Sequence, residues 1–386
     1  MSSPQTKELE SFFATCAPGV EPLLQKELTE LRFAKVERQV GGVYFEGRPS
    51  EARRANLWLR TAVRVLMRVA RFRAETDTDL YEGAKAVDWQ RFLRADGNLV
   101  VDAHTNMSAL DHTRFIEQRV KDAVVDQFRE HGGERPSVER AGADLGIYAH
   151  LYKDRCTLLV DTSGDALHKR GWRRNQGVAP LAENLAAALV LTSGWDRRSP
   201  FLDPFCGSGT VVIEAALIAG GIAPGLFRPE YGFGFERWPD HDARAWRRER
   251  EIAQNTIKMP RKLRIIASDS STARIGDARD NEVGAGLDEL IDFQHADALD
   301  FAPRKGWNGW IVSNLPYGER IGRARALLDL YRNFGALLRE RCAGYQVALV
   351  CGDERQAAAL GLPEAELSTI TNGGLECQLA RAMIEA

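Results

Sequence analysis

The chain has 386 residues, 44% of them hydrophobic and 27% charged, with a formal net charge of −2. At about 100–200 residues per domain, two domains are the natural starting point, each able to bury its own core. The near-neutral balance argues against a protein that coats nucleic acid over its whole surface, so a basic face for RNA has to be local.

No apolar run is long enough to cross a bilayer. The start, Met1-Ser2-Ser3-Pro4-Gln5, lacks the basic and apolar segments of a signal peptide, so a cytoplasmic location is expected. The six cysteines (Cys16, Cys156, Cys206, Cys342, Cys351, Cys377) are scattered without metal-ligand spacing. They read as reduced thiols, and no metal site is expected. Oligomeric state leaves no mark in the sequence, and a monomer is assumed.

Residues 11–165 alternate short strand-like and helical pieces. Residues 12–15 read as a strand and residues 20–31 as an amphipathic helix. Gly41-Gly42 separates residues 33–40 from 43–46 as a hairpin would. Residues 63–72 are apolar and β-branched with interspersed arginines, and residues 99–104 form another strand. Residues 110–129 form the longest helix of this half, with Phe115, Val120, Val124 and Phe128 near one face. Residues 145–152 and 156–161 pair around Lys153-Asp154. The mixture predicts small α+β layers.

Beyond residue 165 strands and helices alternate. Strands are predicted at 201–203, 263–267, 291–294, 310–312, 346–350 and 378–384, with helices at 181–192 and 210–219 among those between them. That rhythm predicts a mostly parallel sheet covered on both faces, with ligands beyond the carboxyl ends of its strands. Residues 220–262 are a long excursion, rich in glycine and aromatics at 231–238. It reads equally as a functional insertion or as a packed aromatic subdomain.

The run Asp203-Pro204-Phe205-Cys206-Gly207-Ser208-Gly209-Thr210 sits where a strand turns into a helix. Gly207 and Gly209 let the chain turn sharply and approach a ligand. The helix behind them presents free N–H groups to it. Asp269-Ser270 and Asp297-Ala298 follow the next two strands. A carboxylate after the second strand can accept bonds from ribose hydroxyls, and one after the third can accept from an adenine amine. A single such acid would more simply cap the next helix. Three in this order favour a ligand. A dehydrogenase fingerprint needs a third glycine and an acid roughly 20 residues on, and neither is present. A P-loop lysine is missing as well. S-adenosylmethionine, a nucleoside with an amino-acid tail, fits better.

About a hundred residues later comes Asn314-Leu315-Pro316-Tyr317-Gly318. The exocyclic amine of a base is a poor nucleophile, because its lone pair is conjugated into the ring. The Asn314 side-chain oxygen and the Leu315 carbonyl can each accept one amine N–H, which orients that lone pair for attack. Pro316 stiffens the turn, and Tyr317 can stack on the base. Alone, this tetrapeptide would pass for an ordinary turn.

Together these segments resemble the THUMP-domain class I methyltransferases that act on guanine N2 of bacterial 23S ribosomal RNA, and the N-terminal half of the fused large-subunit enzymes. The likeness covers nearly the whole chain. It runs through Phe12-Phe13-Ala14-Thr15, Gly41-Gly42-Val43, Asp161-Thr162-Ser163-Gly164-Asp165, Leu167 to Arg173, Ala179-Pro180-Leu181, the 203–210 run, Ile222 to Leu226, and residues 314–320.

The resemblance implies a ferredoxin-like region (1–62), a THUMP RNA-binding domain (63–165) and a Rossmann-like methyltransferase domain with a seven-stranded mixed sheet (166–386). It departs at Leu315, where the family usually has a first proline. Pro180, Glu183 and Asn184 are placed to help close the cofactor pocket. Arg114, Arg119 and Lys121 on the long helix, and Lys169, Arg170, Trp172 and Arg173 at the junction, are candidate RNA contacts. A solvated charged face is the competing reading of the helix. Arg64, Arg68 and Arg71 read equally as an RNA-facing set or as an exposed strand edge defended by charge. An N6-adenine methyltransferase on RNA or DNA, and a noncatalytic RNA-binding assembly protein, stay open as alternatives.

Overall fold

A computed structural model describes residues 9–132, 135–138, 142–175, 181–318 and 324–385. They fall into two compact units. One draws on Met1–Thr15, Glu27–Leu167 and Arg228–Glu251, the other on Cys16–Lys26, His168–Phe227 and Ile252–Ala386.

In chain order the first elements are β1 (Glu10–Thr15), α1 (Glu21–Glu30), β2 (Ala34–Gln39), β3 (Gly42–Gly47), α2 (Glu51–Trp58), β4 (Arg64–Arg73), α3 (Asp77–Lys85), β5 (Asn98–Asn106), α4 (Thr113–Gly132), β6 (Ser137–Val138), β7 (Leu145–Tyr152) and β8 (Arg155–Asp161). Their strands form one eight-stranded sheet in the order β2-β3-β1-β4-β8-β7-β5-β6. β4 pairs antiparallel with β1 on one side and with β8 on the other. It is therefore interior, which removes the exposed-edge reading of its arginines. Arg64 is tied to Asp161 and to the Gly164 carbonyl.

Alternation along β7 and β8 buries Leu145, Ile147, Ala149, Leu151, Cys156, Leu158 and Val160 on the face that packs with α4. The segment Arg228–Glu251 belongs to this unit and not to the one that surrounds it in sequence. Arg228 donates to the carbonyls of Ser163, Asp165 and Ala166. Phe233, Phe235 and Trp246 pack ring against ring. The aromatic excursion is thus a packed element that buries Phe233, Phe235, Trp238 and Trp246 and leaves Tyr231 exposed.

The remaining elements are α5 (Glu183–Thr192), β9 (Phe201–Asp203), α6 (Thr210–Ala219), α7 (Ala243–Asn255), β10 (Ile265–Asp269), α8 (Thr272–Gly284), β11 (Ile291–His295), β12 (Trp310–Asn314), α9 (Ala324–Arg341), β13 (Gln346–Cys351), α10 (Glu354–Ala359), β14 (Glu366–Asn372) and β15 (Leu375–Met383). The second sheet has seven strands in the order β11-β10-β9-β12-β13-β15-β14. The first five run parallel, and β15 and β14 complete the sheet antiparallel. This is the mixed α/β sheet expected for a class I methyltransferase.

β9 lies between β10 and β12, so the connections leave it in opposite directions. A crevice opens at the carboxyl ends of strands at such a switch point. All six cysteines are buried thiols. No described helix is long and apolar enough to cross a membrane.

Candidate active site

A cavity of about 830 Å³ occupies that crevice, within the usual range for small-molecule sites. Residues from five places, together with Leu330 of α9, line it. Pro204, Phe205 and Gly207 follow β9, Asp269 and Ser270 end β10, Asp297 and Ala298 follow β11, and Asn314 to Tyr317 leave β12. Asn372, Gly373 and Leu375 come from the β14–β15 hairpin.

Gly207 has φ +54°, and open space lies where a Cβ would stand. Its backbone N–H donates to Asp269 Oδ2 at 3.0 Å, which ties the bend to the end of the next strand. Gly209, at φ +83°, meets Ala278 of α8 instead, so its lack of a side chain serves packing against that helix.

Two of the three acids of the sequence motif do double duty. Asp269 Oδ1 accepts the Ser271 N–H at 2.9 Å, and Asp297 Oδ1 accepts that of Leu299 at 2.9 Å. Both therefore cap the turns that follow them and also face the cavity. Asp203 is different, being 1% exposed. Its Oδ1 accepts from Ser313 Oγ at 2.5 Å and from the Phe205 N–H at 3.1 Å, while Oδ2 has no hydrogen-bond partner among the described residues. Burial, with Asp269 nearby, pushes its carboxyl up to about 7 against the two bonds that hold it down.

A raised carboxyl pKa favours the folded state at low pH. That contribution is lost as pH rises from the unfolded value of 3.8 towards about 7. The stability of the parent relative to Asp203→Asn is therefore expected to drop by up to roughly 4 kcal/mol between pH 4 and pH 7, then level off. Urea denaturation of both proteins across that range measures the difference, and a gap independent of pH contradicts it.

The remaining residues of the 203–210 run lie behind the cavity wall. Cys206, Ser208 and Thr210 are buried. Arg173, expected as an RNA contact, keeps only 8% of its side chain exposed. It bonds to Glu183 at 2.8 Å, Thr210 Oγ1 at 3.0 Å, Ser208 Oγ at 3.4 Å and the Leu181 carbonyl at 3.2 Å. Arg173 thus braces the glycine bend from behind, and Glu183 holds Arg173 in place of lining the pocket. Arg170 and Trp172 are each 1% exposed, and Arg170 pairs with Glu214 inside the unit. The RNA-contact reading of these three is corrected: desolvating a guanidinium requires an anionic partner, and both arginines have theirs within the protein.

Lys169 is exposed. On α4, Arg114 is exposed, Arg119 pairs with Asp77 and lies 4.2 Å from the Tyr81 ring centroid, and Lys121 pairs with Asp122. Pro180 lies outside the described residues.

At the other wall, the Asn314 Oδ1 atom is buried and accepts no hydrogen bond among the described residues. Native structures rarely leave such an atom unsatisfied without a reason. Leu315 is 1% exposed and packs with Ile311, Tyr331 and Phe334. Its N–H donates to the Val350 carbonyl at 3.1 Å, a bond that a proline there could not make. The Pro316 carbonyl accepts from the Tyr331 hydroxyl at 3.1 Å.

Asn372 Nδ2 donates to the Tyr317 hydroxyl at 2.6 Å, and burial pushes that phenol up to about 12. Tyr317 is thus a neutral ring held in place by the C-terminal hairpin. Sequence reasoning missed Asn372. The Asn372-Gly373-Gly374 turn was the available signal, but nothing local links it to Tyr317, 55 residues earlier. Among the described residues no cluster of three or more His, Cys, Asp or Glu side chains could hold a metal.

Residues 170–381 match the family model described as RMKL-like, methyltransferase domain. The chain belongs to the RMKL-like methyltransferase family. Ahead of this domain, residues 11–66 match the RlmL ferredoxin-like domain and residues 74–161 the THUMP domain.

A curated relative, the ribosomal RNA large subunit methyltransferase K/L of Methylococcus capsulatus, is 42% identical over 97% of this chain and 51% of its own length. The chain spans about half the length of the curated relatives it matches. Among solved structures, SMU.472, a putative methyltransferase complexed with SAH, superposes with TM-score 0.88 at 31% identity. That match covers 99% of this chain and all of the other. A predicted N6-adenine-specific DNA methylase from Listeria monocytogenes superposes with TM-score 0.85 at 34% identity, covering 97% of this chain and 96% of the other. The RMKL-like sheet, its switch point and its cavity are thus set in a fold shared along nearly the full chain.

Proposed function

We propose that this protein transfers a methyl group from S-adenosylmethionine to the exocyclic N2 amine of a guanosine in large-subunit ribosomal RNA. The observation that carries the reading is the unsatisfied Asn314 Oδ1 at the wall of the cavity that also contains the glycine bend. An acceptor there calls for a donor from a ligand, and a base amine brings one.

The residues fit the cofactor. Gly207 leaves room for close approach, and Asp269 keeps lone pairs beyond its two N–H bonds for ribose hydroxyls. Phe205, Ser270, Asp297 and Ala298 would complete the nucleoside site. When bound, S-adenosylmethionine supplies an electrophilic methyl group carried on sulfur.

The protein's own contribution is positioning. Asn314 Oδ1 and the Leu315 carbonyl each take one N–H of the amine and turn its lone pair into the cavity. Tyr317, anchored by Asn372, stacks on the base, and Pro316 fixes the turn. No general base is needed before attack, because the amine becomes acidic only as it gains the methyl group.

The Methylococcus relative, a ribosomal RNA methyltransferase by name, supports ribosomal RNA as the substrate, and with it a cytoplasmic site of action. The THUMP match supports RNA as the partner. We further propose that the modules divide near 1–62, 63–165 and 166–386. The Listeria structure, described as a predicted N6-adenine-specific DNA methylase, favours a second reading, methylation of adenine N6. Incubating the protein with unmodified large-subunit rRNA and labelled cofactor, then digesting to nucleosides for mass spectrometry, distinguishes the two. N2-methylguanosine is expected, and label in N6-methyladenosine alone overturns the guanine assignment.

A further inference from the structure

The eight-stranded sheet of the first unit has two unlike faces where β4, β8, β7 and β5 lie side by side. One packs with α3 and α4. The other carries two rows of side chains set by strand register. Arg71, Thr157, His150 and His104 form one row, each facing the next across adjacent strands. Arg73, Arg155, Tyr152 and Asn106 form the second, about 7 Å away along the strands. A β-bulge between Arg68 and Ala70 shifts the phase of β4, bringing Arg68 onto this same face although it is three residues from Arg71. There it donates to Ser11 at 2.6 Å.

Arg71, Arg73, His104, His150, Tyr152 and Arg155 are all exposed. Arg73 stands directly opposite Arg155, and like charges in that position are destabilising unless an anion intervenes. Glu75 pairs with Arg73, but Arg71 and Arg155 make no side-chain hydrogen bond or ion pair among the described residues. Two acids share this face: Asp102, one row inward opposite Tyr148, and Asp161 at the end of β8, which is buried and paired with Arg64.

Flat rings accompany the cations. The imidazoles of His104 and His150 stack with centroids 5.4 Å apart and planes 16° from parallel. Partial desolvation of its ring and the His104 neighbour pull His150 below the usual histidine range. Cations for phosphates beside rings for unpaired bases are what a single-stranded nucleic acid requires.

We propose that this open sheet face binds a single-stranded segment of RNA, with Arg71 and Arg155 on phosphates and Tyr152 and the His104–His150 stack against bases. The proposal rests on the reading of the protein as an RNA methyltransferase, and it assigns substrate grip to a surface separate from the chemistry.

Fluorescence anisotropy of the full chain with a short, labelled, mixed-sequence single-stranded RNA tests it. Arg71→Glu/Arg155→Glu is expected to weaken binding by at least about tenfold and to flatten its salt dependence. Tyr152→Ala is expected to weaken it between roughly fivefold and a hundredfold. Arg38→Glu, a single charge reversal (half that of the double variant) on exposed β2 at the far margin of the sheet, is expected to stay within about twofold. All variants should bind S-adenosylhomocysteine as the parent does, which confirms their folding. If the parent binds RNA and the sheet variants bind equally well, the face assignment falls while the RNA reading stands, and a protein partner becomes the occupant to seek. If the parent binds no RNA, both fall.

Discussion

Replacing Asn314 by alanine is expected to slow methyl transfer by about two to three orders of magnitude while leaving affinity for S-adenosylhomocysteine within about threefold. The split follows from geometry. The Asn314 oxygen sits at the end of β12 with no partner of its own among the described residues. The elements proposed for the nucleoside, the 204–207 bend and the ends of β10 and β11, are anchored by other bonds. Removing the amide takes away an acceptor for the nucleophile and leaves the cofactor wall intact. Single-turnover rates and calorimetry on the same preparation measure the two quantities. Undiminished transfer removes the proposed role of Asn314. A parallel loss of cofactor affinity makes it a wall residue of the nucleoside site instead.

The second large effect concerns stability. Arg170→Ala is expected to destabilise the methyltransferase unit by about 3–5 kcal/mol, because it removes the buried cation that pairs with the Glu214 carboxylate in the interior. The pair is 3.4 Å apart, with side chains 1% and 0% exposed. The penalty comes mostly from breaking a buried ion pair on one side only. The double variant Arg170→Met/Glu214→Leu should therefore recover most of the loss. Since two units are present, the transition assigned to this one must be followed, because a whole-chain midpoint is poorly defined. A single variant within about 1 kcal/mol of the parent contradicts the argument.

The strand ends that build the cavity were legible because motif and periodicity agree there. Asp203, Asp269 and Asn314 each end a strand whose apolar run is visible, and Asp297 lies just beyond another. The direction of the junction cations was not legible. Lys169, Arg170 and Arg173 are chemically alike in sequence, and only folding sends the last two inward to Glu214 and Glu183. The short helix α3 escaped notice because just Leu80 and Ala84 of its residues are buried and Gly83 interrupts it. Its start is fixed by a Thr76–Asp79 capping box. β14 escaped because it is an edge strand with one buried residue, Ile370. The turn it leads into supplies Asn372, so the overlooked strand and the overlooked site residue are one omission.

The double pairing of β4 limits how this protein can be dissected. The stretches matching the ferredoxin-like and THUMP models meet at a strand hydrogen-bonded on both flanks. A fragment cut before residue 63 would bare the backbone donors and acceptors that β1 now satisfies, an invitation to intermolecular strand addition. Chimeras between relatives should therefore transplant both modules, with Arg228–Glu251, as a single cassette.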